Sequence, residues 1–237
     1  LSLFAGKSVL FLGGSRGIGA AIVRRFAAEG AAVNFTYGQS ARAAQELAAE
    51  TGSKAVETDS ADRDAVIAAV RASGPLDILV VNAGIGILGD ALDQDPDAID
   101  RLLRINVHAP YHAAVEAARQ MPEGGRIIVI GSVNGDRMPV AGMASYALSK
   151  SALQGLARGL ARDLGPRGIT INVVQPGPID TDANPADGPM KDLMQSFMAI
   201  KRYGRPEEVA GMVAWLAGPE AGFVTGAMHT IDGAFGA

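Results

Sequence analysis

The sequence predicts an α/β domain with a doubly wound parallel sheet and helices on both faces. Short apolar runs rich in Val, Ile and Leu alternate with longer segments whose apolar residues recur at helical spacing. This alternation is typical of right-handed βαβ units, which place their strands in one parallel sheet. The first run leads through a glycine-rich turn directly into a helical pattern, as expected for the start of such a unit.

Seven strand-like runs occur in order, at residues 8–12, 32–36, 55–58, 78–81, 126–130, 170–174 and 228–231. Helical periodicity occupies residues 17–29, 41–51, 62–73, 97–119, 145–164 and 206–216. Gly30, Gly52 and Gly74 each follow a periodic run and are expected to end helices. The stretch 182–203 lacks a clear core pattern until the amphipathic run 190–200. The stretch could form a lid over the substrate site, or it could be an ordinary surface segment.

Composition supports one compact domain over residues 1–237, because 48% of the residues are hydrophobic and 19% are charged. The net charge of −4 gives no electrostatic case for a nucleic acid polymer or a membrane as partner. The absence of cysteine excludes disulfides, thiolate zinc sites and a cysteine nucleophile. With no signal peptide or membrane-spanning run in the sequence, the predicted location is the cytoplasm.

The first glycine-rich turn has the form of a dinucleotide phosphate loop. Gly13, Gly17 and Gly19 would allow a tight turn, a close approach of the backbone to a pyrophosphate, and close packing of the next helix. Ser15, Arg16 and Ile18 complete the loop, where the helix N-terminus offers free N–H donors to an anion. Glycine spacing alone is a weak signal, and a Gly-rich turn without a ligand has the same appearance.

The residues after the second strand favour NADP(H) over NAD(H). Tyr37 stands where an NAD-binding chain usually offers Asp or Glu to the ribose hydroxyls. Arg16 and Ser40 could instead face a 2′-phosphate. A solvated loop arginine is the alternative for Arg16.

Two further segments end strands at the edge where open parallel sheets bind ligands. Asp59 and Ser60 follow the third strand, and Asn82, Ala83 and Gly84 follow the fourth. The small residues would let the backbone approach a flat ring. Asp59 could equally be only the cap of the helix at 62–73.

Candidate catalytic groups follow the fifth strand. Tyr146 and Lys150 share one helical face, one turn apart, and Ser132 precedes them. A phenol ordinarily has a pKa of about 10, and a neighbouring ammonium favours its phenolate. Such a pair could serve as a general acid and base, with Ser132 bound to the substrate oxygen. A Tyr and a Lys on an ordinary helix surface would show the same spacing.

Together these motifs resemble the classical short-chain dehydrogenases/reductases, in the same order and over nearly the whole chain. The motifs are Gly13-x-x-x-Gly17-x-Gly19, Asn82-Ala83-Gly84, Ser132, Tyr146-x-x-x-Lys150 and Pro176-Gly177-Pro178-Ile179-Asp180-Thr181. The resemblance implies a seven-stranded Rossmann fold and transfer of a hydride between NADP(H) and a carbonyl or alcohol substrate. It also implies assembly as a homodimer or homotetramer.

The resemblance also implies a role for each site residue. Tyr146 would be the acid and base, Lys150 would bind the nicotinamide ribose, Ser132 would bind the carbonyl, and Asn106 would support a water-linked proton path. The nicotinamide end of the cofactor would be held by Pro176, Gly177, Ile179 and Thr181.

Three departures from the family pattern leave the catalytic groups in place. Leu12 replaces the usual Thr before the first glycine, which removes a side-chain hydrogen bond. The step from Ser132 to Tyr146 is one residue longer than usual, so the loop at 134–142 must absorb it. The chain has Ala234 where the family pattern Asp-Gly-Gly ends in glycine.

A second class of function stays open. The segments 131–139 and 181–185 resemble those of a bacterial family member that binds cyclic di-GMP and promotes biofilm dispersal, which implies ligand sequestration. Arg158 and Arg162 are spaced like a pair for a cyclic dinucleotide, although helical arginines at this spacing are usually solvated. The histidines lack the pattern of a metal site, and His108 and His112 could face a neighbouring subunit.

Overall fold

The computed structural model describes residues 2–237 and contains one parallel sheet of seven strands in the order β3-β2-β1-β4-β5-β6-β7. The strands are β1 (Ser8–Leu12), β2 (Ala32–Tyr37), β3 (Lys54–Glu57), β4 (Ile78–Val81), β5 (Arg126–Ile130), β6 (Thr170–Pro176) and β7 (Met228–Ile231). The order reverses between β1 and β4, so the carboxyl edge opens a crevice there. The predicted fold class is confirmed.

Eight α-helices cover the two faces of the sheet within residues 2–237. They are α1 (Gly17–Ala28), α2 (Ala41–Thr51), α3 (Arg63–Ala72), α4 (Pro96–Leu103), α5 (Ala109–Gln120), α6 (Ala144–Leu164), α7 (Lys191–Phe197) and α8 (Pro206–Ala217). One apolar core lies under α1, α2 and α8, and a second lies under α3, α5 and α6. Both cores support the same carboxyl edge of the sheet.

The long helix predicted at 97–119 is wrong as a single regular helix. A π-helical turn at Arg104–His108 separates α4 from α5, and the amide of Ala109 donates to the carbonyl of Arg104. Pro110, two residues after this turn, has no N–H for the carbonyl of Asn106 and is a local cause of the widening. The tertiary contacts of Asn106 described below hold the turn. Single π turns inside α-helices are frequent at functional sites.

The predicted segment 182–203 contains only one short helix, α7. The chain then enters a third small core, where Met198, Tyr203, Phe235 and Val133 are buried. β6 runs two residues further than predicted, because Gln175 and Pro176 pair with β7.

Candidate active site

The glycine-rich loop makes a tight turn against the residues that follow β4. Gly13 has φ of +80°, and a Cβ added to it would lie 2.7 Å from the backbone of Ala83. Asn82 donates from Nδ2 to the carbonyl oxygen of Gly13 at 2.6 Å. The amide of Gly13 donates to Thr36 Oγ1 at 3.0 Å. The loop is therefore held from two neighbouring strands, and Thr36 supplies it with a side-chain acceptor although residue 12 is a buried Leu.

The N-terminus of α1 is available to an anion. Its N-cap is Arg16, whose side chain makes no capping bond, so the first-turn amides have no side-chain acceptor at this end. Gly17 lies against Thr181, since a Cβ added to Gly17 would be 3.2 Å from Thr181 Cγ2. A cradle of backbone amides with a threonine beside it fits the pyrophosphate of a dinucleotide. The described residues thus fit an NADP(H) molecule at this end of the crevice.

The residues proposed for the adenosine end lie along the same edge. Tyr37 ends β2 and is half-buried, while Ser40 is the N-cap of α2. The side chain of Arg16 is exposed. Among the described residues no carboxylate pairs with Arg16, so its guanidinium is available to a phosphate.

The structure changes one interpretation of Asp59. The cap of α3 is Asp62, whose carboxylate accepts from the amides of Asp64 and Ala65. Asp59 instead accepts from the amide of Ala61 at 2.9 Å and pairs with Arg101 through both oxygens. These bonds hold the pKa of the Asp59 carboxyl below its usual range, with the Ala61 amide as the largest cause. The alternative that Asp59 is the helix cap is therefore wrong.

Tyr146, Ser149 and Lys150 lie on one side of α6, near its N-terminus. Lys150 is buried and donates from Nζ to the carbonyl oxygen of Ile130 at 3.1 Å. Its ammonium lies 5.7 Å from the centre of the Tyr146 ring. The predicted Tyr and Lys therefore lie together, with the lysine fixed by the end of β5.

Asn106 connects the π turn to this pair. Its Oδ1 accepts from the amide of Ile85 at 2.9 Å, and its Nδ2 donates to the Ile85 carbonyl at 2.8 Å and to Ser149 Oγ at 3.0 Å. Ser149 in turn donates to the carbonyl of Tyr146 at 2.8 Å. Sequence reasoning missed Ser149, although its position between Tyr146 and Lys150 could have marked it.

Ser132 lies buried at the start of a short turn of 3₁₀-helix, Val133–Gly135. Its Oγ accepts from the amide of Asn134 at 3.1 Å, which leaves the hydroxyl proton free to be donated elsewhere. The turn lies on α6, since a Cβ added to Gly135 would be 3.1 Å from the Lys150 backbone. This turn and the loop after it accommodate the longer step between Ser132 and Tyr146.

Asp136 ties this turn to two other elements. It accepts from Gln154 Nε2 of α6 at 2.6 Å and from Gln175 of β6. Ser151 adds a bond of 2.6 Å to the carbonyl of Gly135. Sequence reasoning missed Asp136 because its partners lie 18 and 39 residues away.

The segment from Pro176 to Thr181 completes the edge. Gly177 lies against Asp232, since a Cβ added to it would be 2.6 Å from the Asp232 Cβ. Ile179 is buried and pairs with Gly204 in a parallel bridge. The predicted cofactor segments, at the first glycine loop, after β4 and after β6, thus meet at one edge.

Other predicted residues lie away from this edge. Arg158 and Arg162 are exposed on α6. His108 and His112 line a groove of about 450 Å³ between α5 and α6. Burial, and then the charges of Arg63 and His108, lower the pKa of His112. Within residues 2–237 no helix has the length and apolar character needed to cross a membrane.

Comparison with known proteins identifies relatives along the whole chain. A family model described as enoyl-(acyl carrier protein) reductase matches residues 13–235. The cyclic-di-GMP-binding biofilm dispersal mediator protein of Escherichia coli (strain K12) is 78% identical over 237 residues, which cover 100% of both chains. The 3-oxoacyl-[acyl-carrier-protein] reductase MabA of Mycobacterium tuberculosis (strain ATCC 25618 / H37Rv) is 38% identical over 98% of this chain and 94% of its own.

A solved structure gives the same picture. The crystal structure of BdcA in complex with NADPH matches with a TM-score of 0.98 and 79% identity, covering 99% of this chain and 96% of that chain.

Proposed function

Since this chain belongs to the short-chain dehydrogenase/reductase family and is an NADP(H)-dependent oxidoreductase, we propose that it reduces a carbonyl substrate with Tyr146 as proton donor. The observation that carries the proposal is the bonded set around Tyr146. Lys150 is buried beside its ring, and Ser149 joins its backbone to Asn106. A polar set of this kind, fixed from α6, β5 and the π turn, is pre-organised for proton transfer.

The cofactor is held by the glycine loop, the residues after β4 and the segment at Pro176–Thr181. Bound there, NADPH supplies the hydride that the carbonyl carbon receives. Gly84 and Gly86 keep the backbone close to the site, because a Cβ on Gly84 would lie 3.3 Å from Lys150 Nζ. A larger side chain at position 84 would displace the lysine.

The residues of this chain handle the substrate oxygen and the proton. Ser132 donates its hydroxyl proton to the carbonyl oxygen, since its Oγ accepts from the Asn134 amide and its proton has no acceptor among the described residues. Tyr146 donates its phenolic proton to the same oxygen as negative charge develops there. Lys150 uses one N–H on Ile130, so two remain for the cofactor ribose and for water. Asn106 fixes the π turn beside Lys150 and supports a water-linked path that returns protons to Lys150.

The experiment that tests this function is Tyr146→Phe. The variant keeps the ring on α6 but has no phenolic proton, so reductase activity should fall by about 10²–10⁴-fold. The dissociation constant for NADPH should stay within a few-fold of the parent. NADPH oxidation followed at 340 nm and calorimetric titration measure the two quantities, and undiminished turnover would show that Tyr146 is not the acid.

NADP(H) is preferred to NAD(H) because Arg16 is exposed and Tyr37 replaces a ribose-binding acid. A charge-assisted bond from Arg16 to a 2′-phosphate is worth about 1.5–3 kcal/mol. Arg16→Ala should therefore weaken NADPH binding by about tenfold or more and leave NADH binding nearly unchanged. Equal dissociation constants for the two cofactors in the parent would contradict the preference.

A second candidate function is cyclic di-GMP binding, which the name of the 78% identical relative favours. The phosphate-binding amides of the α1 N-terminus are the anion site this structure supports, so the dinucleotide would compete with NADPH there. Saturating NADPH should then abolish cyclic di-GMP binding in calorimetry. Tight binding that ignores NADPH, together with no turnover of aldehydes, ketones or quinones, would favour sequestration as the main role.

The chain also assembles as a homodimer or homotetramer through the face of α5 and α6. Tyr111 and Leu148 are exposed apolar side chains on these helices, and Gly155 and Gly159 leave open space in the groove beside them. Light scattering after size exclusion measures the assembly. Tyr111→Asp should lower the molar mass if this face joins the subunits.

A further inference from the structure

Two segments border the catalytic hydroxyls of Tyr146 and Ser132, and the first is fixed to the site by its backbone. This segment, residues 84–97, follows β4. Its Ile85 amide and carbonyl are both bonded to Asn106. A Cβ added to Gly86 would lie 3.8 Å from the Tyr146 ring, and the Gly89 amide donates to Gly142 at 3.0 Å. The segment therefore forms one side of the entrance to Tyr146.

The second segment, residues 182–200, lies on the Ser132 side of the site. It begins next to Thr181, which lies against Gly17 of the phosphate loop. Its helix α7 and the following Met198 pack in the third core with Val133, the residue after Ser132. The ring of Phe197 meets that of Phe235 edge-on at 5.6 Å. This segment is thus anchored beside the other catalytic hydroxyl.

The two segments expose a concentration of apolar side chains. Of the eleven exposed large apolar residues within 2–237, six belong to them. They are Ile85, Leu88, Leu92, Met190, Leu193 and Ile200. Leu88 is 76% exposed and Leu92 is 92% exposed, so neither contributes to the core. Concentrated exposure of this kind marks an interaction surface, and beside the reacting groups it fits the apolar part of a substrate.

The same two segments are acidic. They carry seven exposed aspartates and one lysine, while the whole chain has a net charge of only −4. The aspartates are Asp90, Asp93, Asp95, Asp97, Asp182, Asp187 and Asp192. Of the neighbouring cations, Arg101 pairs with Asp59 and Arg202 pairs with Glu208. Arg137 and Lys201 bond to backbone carbonyls and keep their charge, so the aspartates remain in excess. An anion that approaches this entrance meets charge of its own sign.

We infer that the substrate is an uncharged carbonyl compound with apolar substituents, and that anionic compounds, including acyl thioesters of phosphorylated carriers, are disfavoured at this entrance. The inference rests on the proposed carbonyl reduction at Tyr146. It separates this chain from its 38% identical relative, whose name specifies an acyl-carrier-protein substrate.

The test compares two aldehydes of nearly equal shape and opposite charge state, 4-carbamoylbenzaldehyde and 4-carboxybenzaldehyde. At low ionic strength kcat/KM should be about tenfold higher for the neutral amide, the lower end of the range for electrostatic steering. Most of the difference should lie in KM. The ratio should shrink in 0.5 M salt, because exposed charges are screened beyond a Debye length of less than about 8 Å.

Two double variants locate the effect. Asp93→Asn with Asp187→Asn removes two entrance charges whose carboxylates make no hydrogen bond among the described residues, so the ratio should fall about threefold, as exposed charges contribute a fraction of a kcal/mol each. Glu123→Gln with Glu220→Gln removes two exposed charges at the opposite, amino-terminal edge of the sheet. This control should leave the ratio unchanged.

The outcomes separate the two claims. Turnover of both aldehydes at equal kcat/KM, or a ratio that both double variants change equally, would overturn the substrate inference and leave carbonyl reduction in place. No turnover of either aldehyde, of benzaldehyde or of alkyl ketones would overturn the proposed function and the inference with it. Faster turnover of alkyl ketones with longer chains, reduced by Leu88→Ser, would support the apolar part of the inference.

Discussion

Ala234 adopts a backbone conformation that favours glycine. Its φ is +62°, and no other non-glycine residue within 2–237 has a positive φ. The carboxylate of Asp232 holds the turn by accepting from the amides of Ala234 and Gly236, at 2.9 and 2.7 Å. Ala234, where the sequence departs from the family pattern, is therefore a strained position beside the third core.

Replacing Ala234 with glycine should stabilise the protein. An L-residue in this conformation costs about 1–2 kcal/mol, and the greater freedom of an unfolded glycine offsets part of the gain. The expected increase in the free energy of unfolding is up to about 1 kcal/mol. Urea denaturation measures it, with Gly233→Ala (φ +62°) as the matched opposite change, expected to destabilise. A loss of stability in Ala234→Gly would contradict the strain.

At the scale of elements, the turn after Ser132 joins three parts of the molecule. Gly135 lies on α6 beside Lys150, and Asp136 binds Gln154 of α6 and Gln175 of β6. The Ser132 hydroxyl is thereby fixed relative to the helix that carries Tyr146. Asp136 is a positioning residue, since its carboxylate bonds to Gln154 and Gln175 and not to the side chain of Ser132 or Tyr146.

Asp136→Ala should lower kcat by about tenfold, because small displacements of a reacting group are costly. The KM for NADPH should change little, whereas the melting temperature should fall by a few degrees because the buried Gln175 amide loses its acceptor. Asp136→Asn keeps an acceptor for Gln154 and should recover part of the activity, whereas Asp163→Ala, at the far end of α6, is the control. An unchanged kcat in Asp136→Ala, with the melting temperature lowered, would indicate a merely structural role.

The start of α8 is a second element with a defined energetic role. Glu208 accepts from the Arg205 amide at 2.7 Å and from Arg202 at 2.7 and 2.8 Å. These bonds, chiefly the one from Arg202, lower the pKa of Glu208 to about 2. They fix residues 202–205, where the chain leaves the segment 182–200.

Because the folded pKa of Glu208 lies below its unfolded value, its contribution to stability is complete above about pH 5. It is lost as pH falls towards 2. Since the pair is partly exposed, Glu208→Gln should cost only about 1 kcal/mol at pH 7. The difference from the parent should vanish below about pH 2 in denaturation curves. Glu207→Gln, one residue away and exposed, is the matched control.

For the whole molecule, one crevice joins both apolar cores. The glycine loop leads into α1 on one face of the sheet, and Lys150 comes from α6 on the opposite face. Asn82, which follows β4, lies between them and bonds to the loop. A dinucleotide in this crevice contacts residues supported by both cores. Binding therefore stabilises the folded chain as a unit.

Saturating NADPH should raise the melting temperature. At a hundredfold excess over the dissociation constant the gain is about 2.7 kcal/mol, or roughly 5–10 °C for a chain of this size. NADH at the same concentration should give a smaller shift, and Arg16→Ala should remove most of the difference between the two cofactors. Scanning calorimetry measures all three, and identical shifts in the parent would contradict a role for Arg16.

The sequence by itself determined the α/β alternation, five of the helices to within a few residues, and the order of the site motifs. These features depend on apolar periodicity, glycine turns and motif spacing, which are properties of residues close together in the sequence. Gly13, Tyr146 and Lys150 could be identified for the same reason. Their predicted roles in binding and catalysis remain predictions that the variants above test.

Only the tertiary structure decided the bonds of Asn106 and Ser149, the pairing of Asp59 with Arg101 and the anchoring of Asp136. Each depends on a partner from another element, 18 to 43 residues away. The helical period does not encode a widened turn that is stabilised by the backbone of Ile85. Long-range hydrogen bonds form after the sheet has brought these segments together, so the sequence pattern of any one segment cannot specify them.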